Sequence, residues 1–279
     1  MKIKFYIGYF YRKLIANFFE IKTPRLRLYL VNILYMLSKI NKNINWQNFA
    51  NIEFIETKFG KFKVRPKTFD VICASPDFER PDIDLVVKTL DKIFIKNKTV
   101  KFLDIGADIG TYSIILGNKF YKKKIAIYAF EPFKESYDLC KENIFINSLQ
   151  DKVKVFNYGL YNKKEKILLS LNSDNPGGQS IIEKSYYSKN TYSIKVNVLD
   201  DMRLIEDVSE NTVLFIKMDI EGAEKYALEG SKKTIDAFSE VYILAEDFID
   251  ESIIDYLNSN NFIRISKKTP YNSIWYRIK

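Results

Sequence analysis

Residues 104–110, DIGADIG, put two acids and two glycines on one turn directly after the apolar run VKFL. A glycine lets a ligand approach the backbone where a Cβ would collide, and such a turn opens the N-terminus of the next helix towards that ligand. The spacing is not the G-x-G-x-x-G of a dinucleotide site, and no G-K-[ST] follows for a phosphate loop. Asp104 and Asp108 are also a poor setting for a pyrophosphate, because like charges repel in a partly dehydrated cleft. They suit a ligand carrying an ammonium and a sulfonium. Glu131 closes the next apolar run, KIAIYAF, at the place where an acid can accept hydrogen bonds from both ribose hydroxyls. A nucleoside with a cationic tail fits this set, and S-adenosyl-L-methionine is the expected cofactor. Its expected contacts here are Asp104, Gly106, Asp108, Gly110 and Glu131, with Asn157 at the end of the third strand.

A second group of acids lies downstream. The stretch KMDIEGAE holds Lys217, Asp219, Glu221 and Glu224, and LAEDF holds Glu246. The chain has no histidine, which removes imidazole bases and every histidine-dependent triad or metal site. A hydroxyl that accepts a methyl group must lose its proton, so Asp219 or Glu246 is the expected base. Lys217 is two residues from Asp219 on a strand and points the same way, so it can keep one carboxylate charged while another takes the proton. Glu221 could orient a hydroxyl or share a cation; Asp219, Glu221 and Glu246 are oxygen ligands that would suit Mg²⁺ rather than zinc. Glu224 has a plainer reading, as an ion-pair brace with Lys217 or as an acid at a helix start.

Positioning these residues requires strands that end at one edge. From residue 100 the sequence alternates strand, glycine turn and helix: KFLDI, TYSIILGNKF, KIAIYAFEP, KESYDLCKENIFINS and KVKVFNYGL. After EKILLSL and YSIKVNVLD, separated by the turn-rich NSDNPGGQSII, the alternation resumes with NTVLFIKMDIEGAE, the helix EKYALEGSKKTIDAF, EVYILAEDF and DESIIDYLNS. This predicts a parallel α/β sheet covered on both faces. It closes with the hairpin NFIRISKK and SIWYRIK, whose last strand must run antiparallel. Residues 172–190 are expected to shape the acceptor side. Upstream, NIEFIETKFGKFKVRP reads as a hairpin about Gly60, and a helix begins near Pro81 with Asp82 and Asp84 in its first turn. The chain divides into a basic helical extension over residues 1–50, a hairpin and helix over 51–98, and the binding domain over 99–279.

FLDIGADIGTYSI, AFEPFKESYDLCKENIFIN and FIKMDIEGAEKYALEG, in that order, resemble the FkbM family of S-adenosylmethionine-dependent methyltransferases over roughly residues 55–265. The resemblance implies a Rossmann-like class I methyltransferase fold, a seven-stranded sheet with one antiparallel strand, and methylation of hydroxyl oxygens on saccharides, glycans, glycolipids or secondary metabolites. It carries over a cofactor loop of Asp104, Gly106, Ala107, Asp108, Gly110 and Thr111 and an FEP motif with Glu131 and Pro132, and it matches Asn143 and Asn147 to two asparagines of the helix after Glu131, and Asp200 to the acid of the family's LD segment. Phe248 stands where many members carry a histidine, so any role of that histidine is lost here.

The formal charge is +9, from lysines scattered along the chain rather than gathered in a tract. An anionic partner is open on that ground, but a nucleic acid is disfavoured, since neither an N-P-P-Y tetrad nor a dense basic patch is present. Cys73 and Cys140 lie far apart with no CxxC spacing, which suits a reducing, cytoplasmic setting. Residues 1–45 are basic and apolar without a run of about 20 apolar residues, as a span requires. Two helices broken near Pro24 are expected there. They suit a cap on the main domain, a homodimer surface or a peripheral contact with an anionic membrane.

Overall fold

The computed structural model describes residues 21–23, 25–170, 191–202, 208–220, 222–246, 251–267 and 272–279. Strand β1 (Ile21–Thr23) precedes helix α1 (Arg25–Ser38), so the change of structure does fall at residue 24, but it passes from strand to helix. The first of the two expected helices would lie in residues 1–20, outside those described. β2 (Phe54–Thr57) and β3 (Lys61–Lys63) form the expected hairpin, and β1 pairs with β2 to make a three-stranded sheet. Leu28 and Val31 of α1 are fully buried in the main apolar cluster, so this helix caps the domain.

After α2 (Asp70–Cys73) and α3 (Arg80–Ile95) come β4 (Thr99–Ile105), α4 (Thr111–Lys119), β5 (Ile125–Phe130), α5 (Lys134–Ile146) and β6 (Val153–Phe156). The third predicted strand breaks in two, because β7 (Gly159–Leu160) belongs to another small sheet with β8 (Glu165–Ser170) and β9 (Thr191–Asn197). Asn157 sits at the break and donates through Nδ2 to the carbonyls of Glu131 (3.0 Å) and Pro132 (3.1 Å), which turns the chain out of the large sheet.

β10 (Thr212–Met218) returns to the centre of that sheet. One predicted helix after it is two, α6 (Glu224–Glu229) and α7 (Lys232–Ala237). The division is at Gly230, which packs so closely on the chain after β7 that a Cβ would lie 2.0 Å from the Tyr161 carbonyl oxygen. β11 (Glu240–Glu246), α8 (Glu251–Ser259), β12 (Ile263–Lys267) and β13 (Asn272–Ile278) complete the chain.

The large sheet has the order β12-β13-β11-β10-β4-β5-β6. β6, β5, β4, β10 and β11 are parallel to one another, and β13 is antiparallel to both its neighbours, as the terminal hairpin predicts. Separate apolar clusters cover its two faces. The aromatic wealth of the sequence shows on one face as a row in register across four strands, Phe102, Phe215, Tyr242 and Tyr276, with ring centroids 5.3, 5.7 and 4.7 Å apart. Such cross-strand pairs of large rings stabilise the sheet well beyond their backbone bonds. Strand order reverses between β4 and β10, so the turns after those strands open on a shared crevice, where open sheets bind ligands.

Candidate active site

The turn after β4 is held by its neighbours. Gly106 and Ala107 donate from their backbone N–H groups to the Phe130 carbonyl at 3.0 and 3.1 Å. Gly106 has φ +77°, and a Cβ there would sit 2.0 Å from the Asp219 carbonyl oxygen, so the turns after β4 and β10 touch only because this residue is glycine. Gly110 also has a positive φ, +89°, and lies against Cys140 of α5. Asp108 adopts φ +45° with a side chain present, a conformation that needs support.

The two acids of the turn are not free charges. Asp104 is fully buried; its Oδ2 accepts from the Ser113 hydroxyl (2.6 Å) and backbone N–H (3.1 Å), and its Oδ1 lies 3.6 Å from Lys217 Nζ. Burial raises its pKa, while Lys217 and Ser113 pull the other way. The cation expected beside Asp104 is therefore the chain's own lysine. Lys217 also donates to the Gly106 carbonyl (2.9 Å), lies 3.7 Å from Asp219 Oδ2, and sits over the Tyr112 ring at 5.2 Å. Burial alone would depress its ammonium, but Asp219 and Asp104 outweigh that, and its pKa is raised.

Asp108 Oδ1 accepts from Arg65 Nη2 (3.1 Å) and the Ser136 hydroxyl (2.9 Å). Burial and the nearby Asp70 carboxylate push its pKa up to about 6, against the pull of Arg65 and Ser136. Glu131 receives the Asp108 backbone N–H on Oε2 (2.9 Å) and the Phe133 N–H on Oε1 (2.8 Å). Its carboxyl is pushed up to about 8, first by burial and then by Asp108. The two N–H donors fix its orientation and leave one lone pair on each oxygen for a further donor, the geometry a ribose diol requires.

Of the other expected residues, Thr111 donates to the Cys73 carbonyl at 3.4 Å, Pro132 lies beside Gly159, and Asn157 braces the backbone after β5. The side chain of Asp219 is 41% exposed where Asp104 is sealed, so of the two only Asp219 can meet an acceptor. Glu246 ends β11 opposite Asn272, whose amide donates to Asp82 (3.1 Å). Glu221, Phe248 and residues 172–190 lie outside the described residues. No group of three or more acidic or cysteine side chains is placed to hold a metal ion among the described residues, so the expected Mg²⁺ site finds no support.

Four motif residues have structural work. Glu224 does not pair with Lys217: its carboxylate accepts the backbone N–H groups of Ile220 (3.1 Å) and Gly222 (3.0 Å), bracing the turn after β10. Asp200 accepts those of Lys233 and Thr234 (2.9 and 2.7 Å), capping α7. Asn143 and Asn147 hold the outer edge of β3, described below.

Sequence reasoning missed Glu79. It stands at the N-terminal end of α3 with φ +45°, accepts the Tyr112 hydroxyl at 2.9 Å, and lies within the fields of Asp219, Lys217 and Asp82. Burial and Asp219 push its carboxyl up to about 8, and its field with burial holds the Tyr112 phenol well above its ordinary range. An acid just before a helix start gave no sign that it lies near Asp219 and Lys217, some 140 residues later. Arg65 was also missed, as one basic residue in a lysine-rich hairpin.

A family model, that of the methyltransferase FkbM domain, matches residues 104–263. Comparison with curated proteins gives no match. Among solved structures, the methyltransferase FkbM from Methylobacillus flagellatus KT is 19% identical with a TM-score of 0.44, covering 64% of this chain and 43% of its own. M. capricolum TrmK, in complex with S-adenosyl-homocysteine, is 14% identical with a TM-score of 0.37, covering 65% of this chain and 62% of its own. The chain thus spans less than two thirds of the length of either.

Proposed function

The chain belongs to the methyltransferase FkbM domain family, and on that premise we propose that it is an S-adenosylmethionine-dependent O-methyltransferase acting on a hydroxyl of a saccharide, glycan or glycolipid. The observation that carries this reading is the pairing, at one crevice, of an oriented Glu131 with a half-exposed Asp219 held against Lys217. The two clamped glycines and the half-exposed Asp219 fit a tight cradle with an acid at its mouth for a cationic nucleoside, while Asp104 is already matched by the Lys217 ammonium.

When bound, the cofactor supplies an electrophilic methyl group on sulfur. The chain's own residues do the rest. Glu131 in its ionised form takes both ribose hydroxyls, the Gly106–Gly110 turn packs along the nucleoside, and Asp219 receives the proton of the acceptor hydroxyl. Burial and the Asp219 carboxylate push the Glu79 carboxyl up to about 8, which favours its protonated form, and Asp219, exposed beside the Lys217 ammonium, is the acceptor. Glu246 is the second candidate base, across the same mouth. Glu79 and Asp219 favour an acceptor rich in hydroxyl donors and disfavour one carrying phosphates.

Thermal denaturation with S-adenosylmethionine, S-adenosylhomocysteine and NAD tests the cofactor, because a ligand at about 100 times its Kd adds about 2.7 kcal/mol of stability. Stabilisation by NAD alone overturns the reading. Transfer of labelled methyl groups to a panel of oligosaccharides and to RNA then tests the acceptor; label in RNA only would replace the saccharide with a nucleic acid.

A further inference from the structure

Arg65 follows β3, some forty residues before the matched domain begins, yet its guanidinium reaches the cofactor turn. Nε and Nη2 grip Asp70 at 2.7 and 3.0 Å, and the Arg65 backbone N–H also donates to Asp70 (3.0 Å). Nη2 bridges on to Asp108 Oδ1 at 3.1 Å. Nη1 is buried and has no acceptor. A guanidinium held only to brace a loop has no reason to keep one buried nitrogen unsatisfied, because such a donor costs free energy until an oxygen meets it.

We propose that Arg65 is a cofactor-site residue: it holds Asp108 as an anion in the left-handed turn and offers Nη1 to an oxygen of the bound cofactor. The inference rests on the cofactor reading above. Arg65 acts on Glu131 through Asp108, since the Asp108 backbone N–H that orients Glu131 stays in place only while the turn keeps its φ of +45°. Every charged or titratable neighbour of Asp108 bears on its ionisation. Asp70 and Cys73 of α2, Glu131 after β5 and Cys140 of α5 crowd it, Lys217 of β10 adds a more distant positive field, and Arg65 is the cation in direct contact. The hairpin is thereby part of the site, and the matched domain without it lacks that cation.

Calorimetric titration of S-adenosylhomocysteine into the full chain, from about pH 5 to about pH 8.5, tests this. Wild-type affinity is expected to weaken in two steps as pH falls, near about 8 where Glu131 takes up a proton and again through about 6 where Asp108 does. Arg65→Met should bind about tenfold or more weakly at neutral pH, with the weakening setting in at higher pH, because a carboxylate without its cation ionises less readily. Arg65→Lys should restore the pH profile but not the full affinity, since an ammonium has no counterpart of Nη1. Asp108→Asn should remove the fall near pH 6. Arg65→Met binding as wild type, or weakened by one factor at every pH, would overturn the assignment. If that variant does not fold, Asp108→Asn decides, and a fall near pH 6 that survives it sinks the proposal. A folded wild-type chain with no affinity for S-adenosylhomocysteine at any pH instead overturns the cofactor reading itself.

Discussion

Replacing Glu131 by Gln separates the cost of this residue to the fold from its use to a ligand. In the folded chain its carboxyl titrates at about 8, against an ordinary 4.5. The unfolded chain therefore releases the proton first, and between those values the folded state binds more protons. Stability from this group is full below about pH 4.5 and is lost as pH rises through about 8, at about 1.4 kcal/mol per pH unit. From about pH 5 to about pH 8 the loss is on the order of 4 kcal/mol. Gln does not titrate, so this slope vanishes. It also brings an NH₂ where an oxygen now accepts either the Asp108 or the Phe133 N–H, leaving one buried donor unpaired at a cost of about 1–3 kcal/mol. The variant should thus be the less stable protein in acid and the more stable one above about pH 8, the two curves crossing in between. Urea denaturation of both proteins across that range reads the difference directly. Parallel curves would refute the argument that burial and Asp108 set this ionisation.

Asp219→Ala should leave affinity for S-adenosylhomocysteine within a few-fold and cut methyl transfer by about 10² or more; unchanged turnover would pass the role of base to Glu246. Gly106→Ala should cost at least about 2–3 kcal/mol in thermal unfolding, because its Cβ would stand 2.0 Å from the Asp219 carbonyl. Asn143→Ala removes bonds to both backbone groups of Lys63 and to the Ile109 carbonyl. It should destabilise by about 2–4 kcal/mol and speed hydrogen exchange in β2 and β3 ahead of the large sheet.

The parallel sheet and its antiparallel end were legible because buried strands write themselves as apolar runs and the terminal hairpin as a turn between two such runs. Asp104, Glu131, Lys217 and Asp219 were legible as positions, since strand ends and glycine turns are local signals. Their partners were not. That Asp104 faces Lys217 depends on β4 and β10 lying side by side, in register at those two residues. The splits at Asn157 and Gly230 were missed for a related reason: each is set by a contact with a distant carbonyl, of Glu131, Pro132 or Tyr161, and not by any helix or strand preference nearby. Arg65 and Glu79 reach the crevice from residues that precede the matched domain, and nothing in their immediate neighbours foretells the approach.

Asn143 on α5 and Asn147 capping its end, four residues apart, use their amides to receive and return the backbone bonds of Lys61 and Lys63. Four residues of helix rise about 6 Å and two of strand about 6.8 Å, so the match repeats along the edge. An open strand margin is a template on which another chain can polymerise. Here that margin is sealed by side chains of the same molecule, so the protein cannot be extended by strand addition at β3, and any self-assembly must proceed through a different flank.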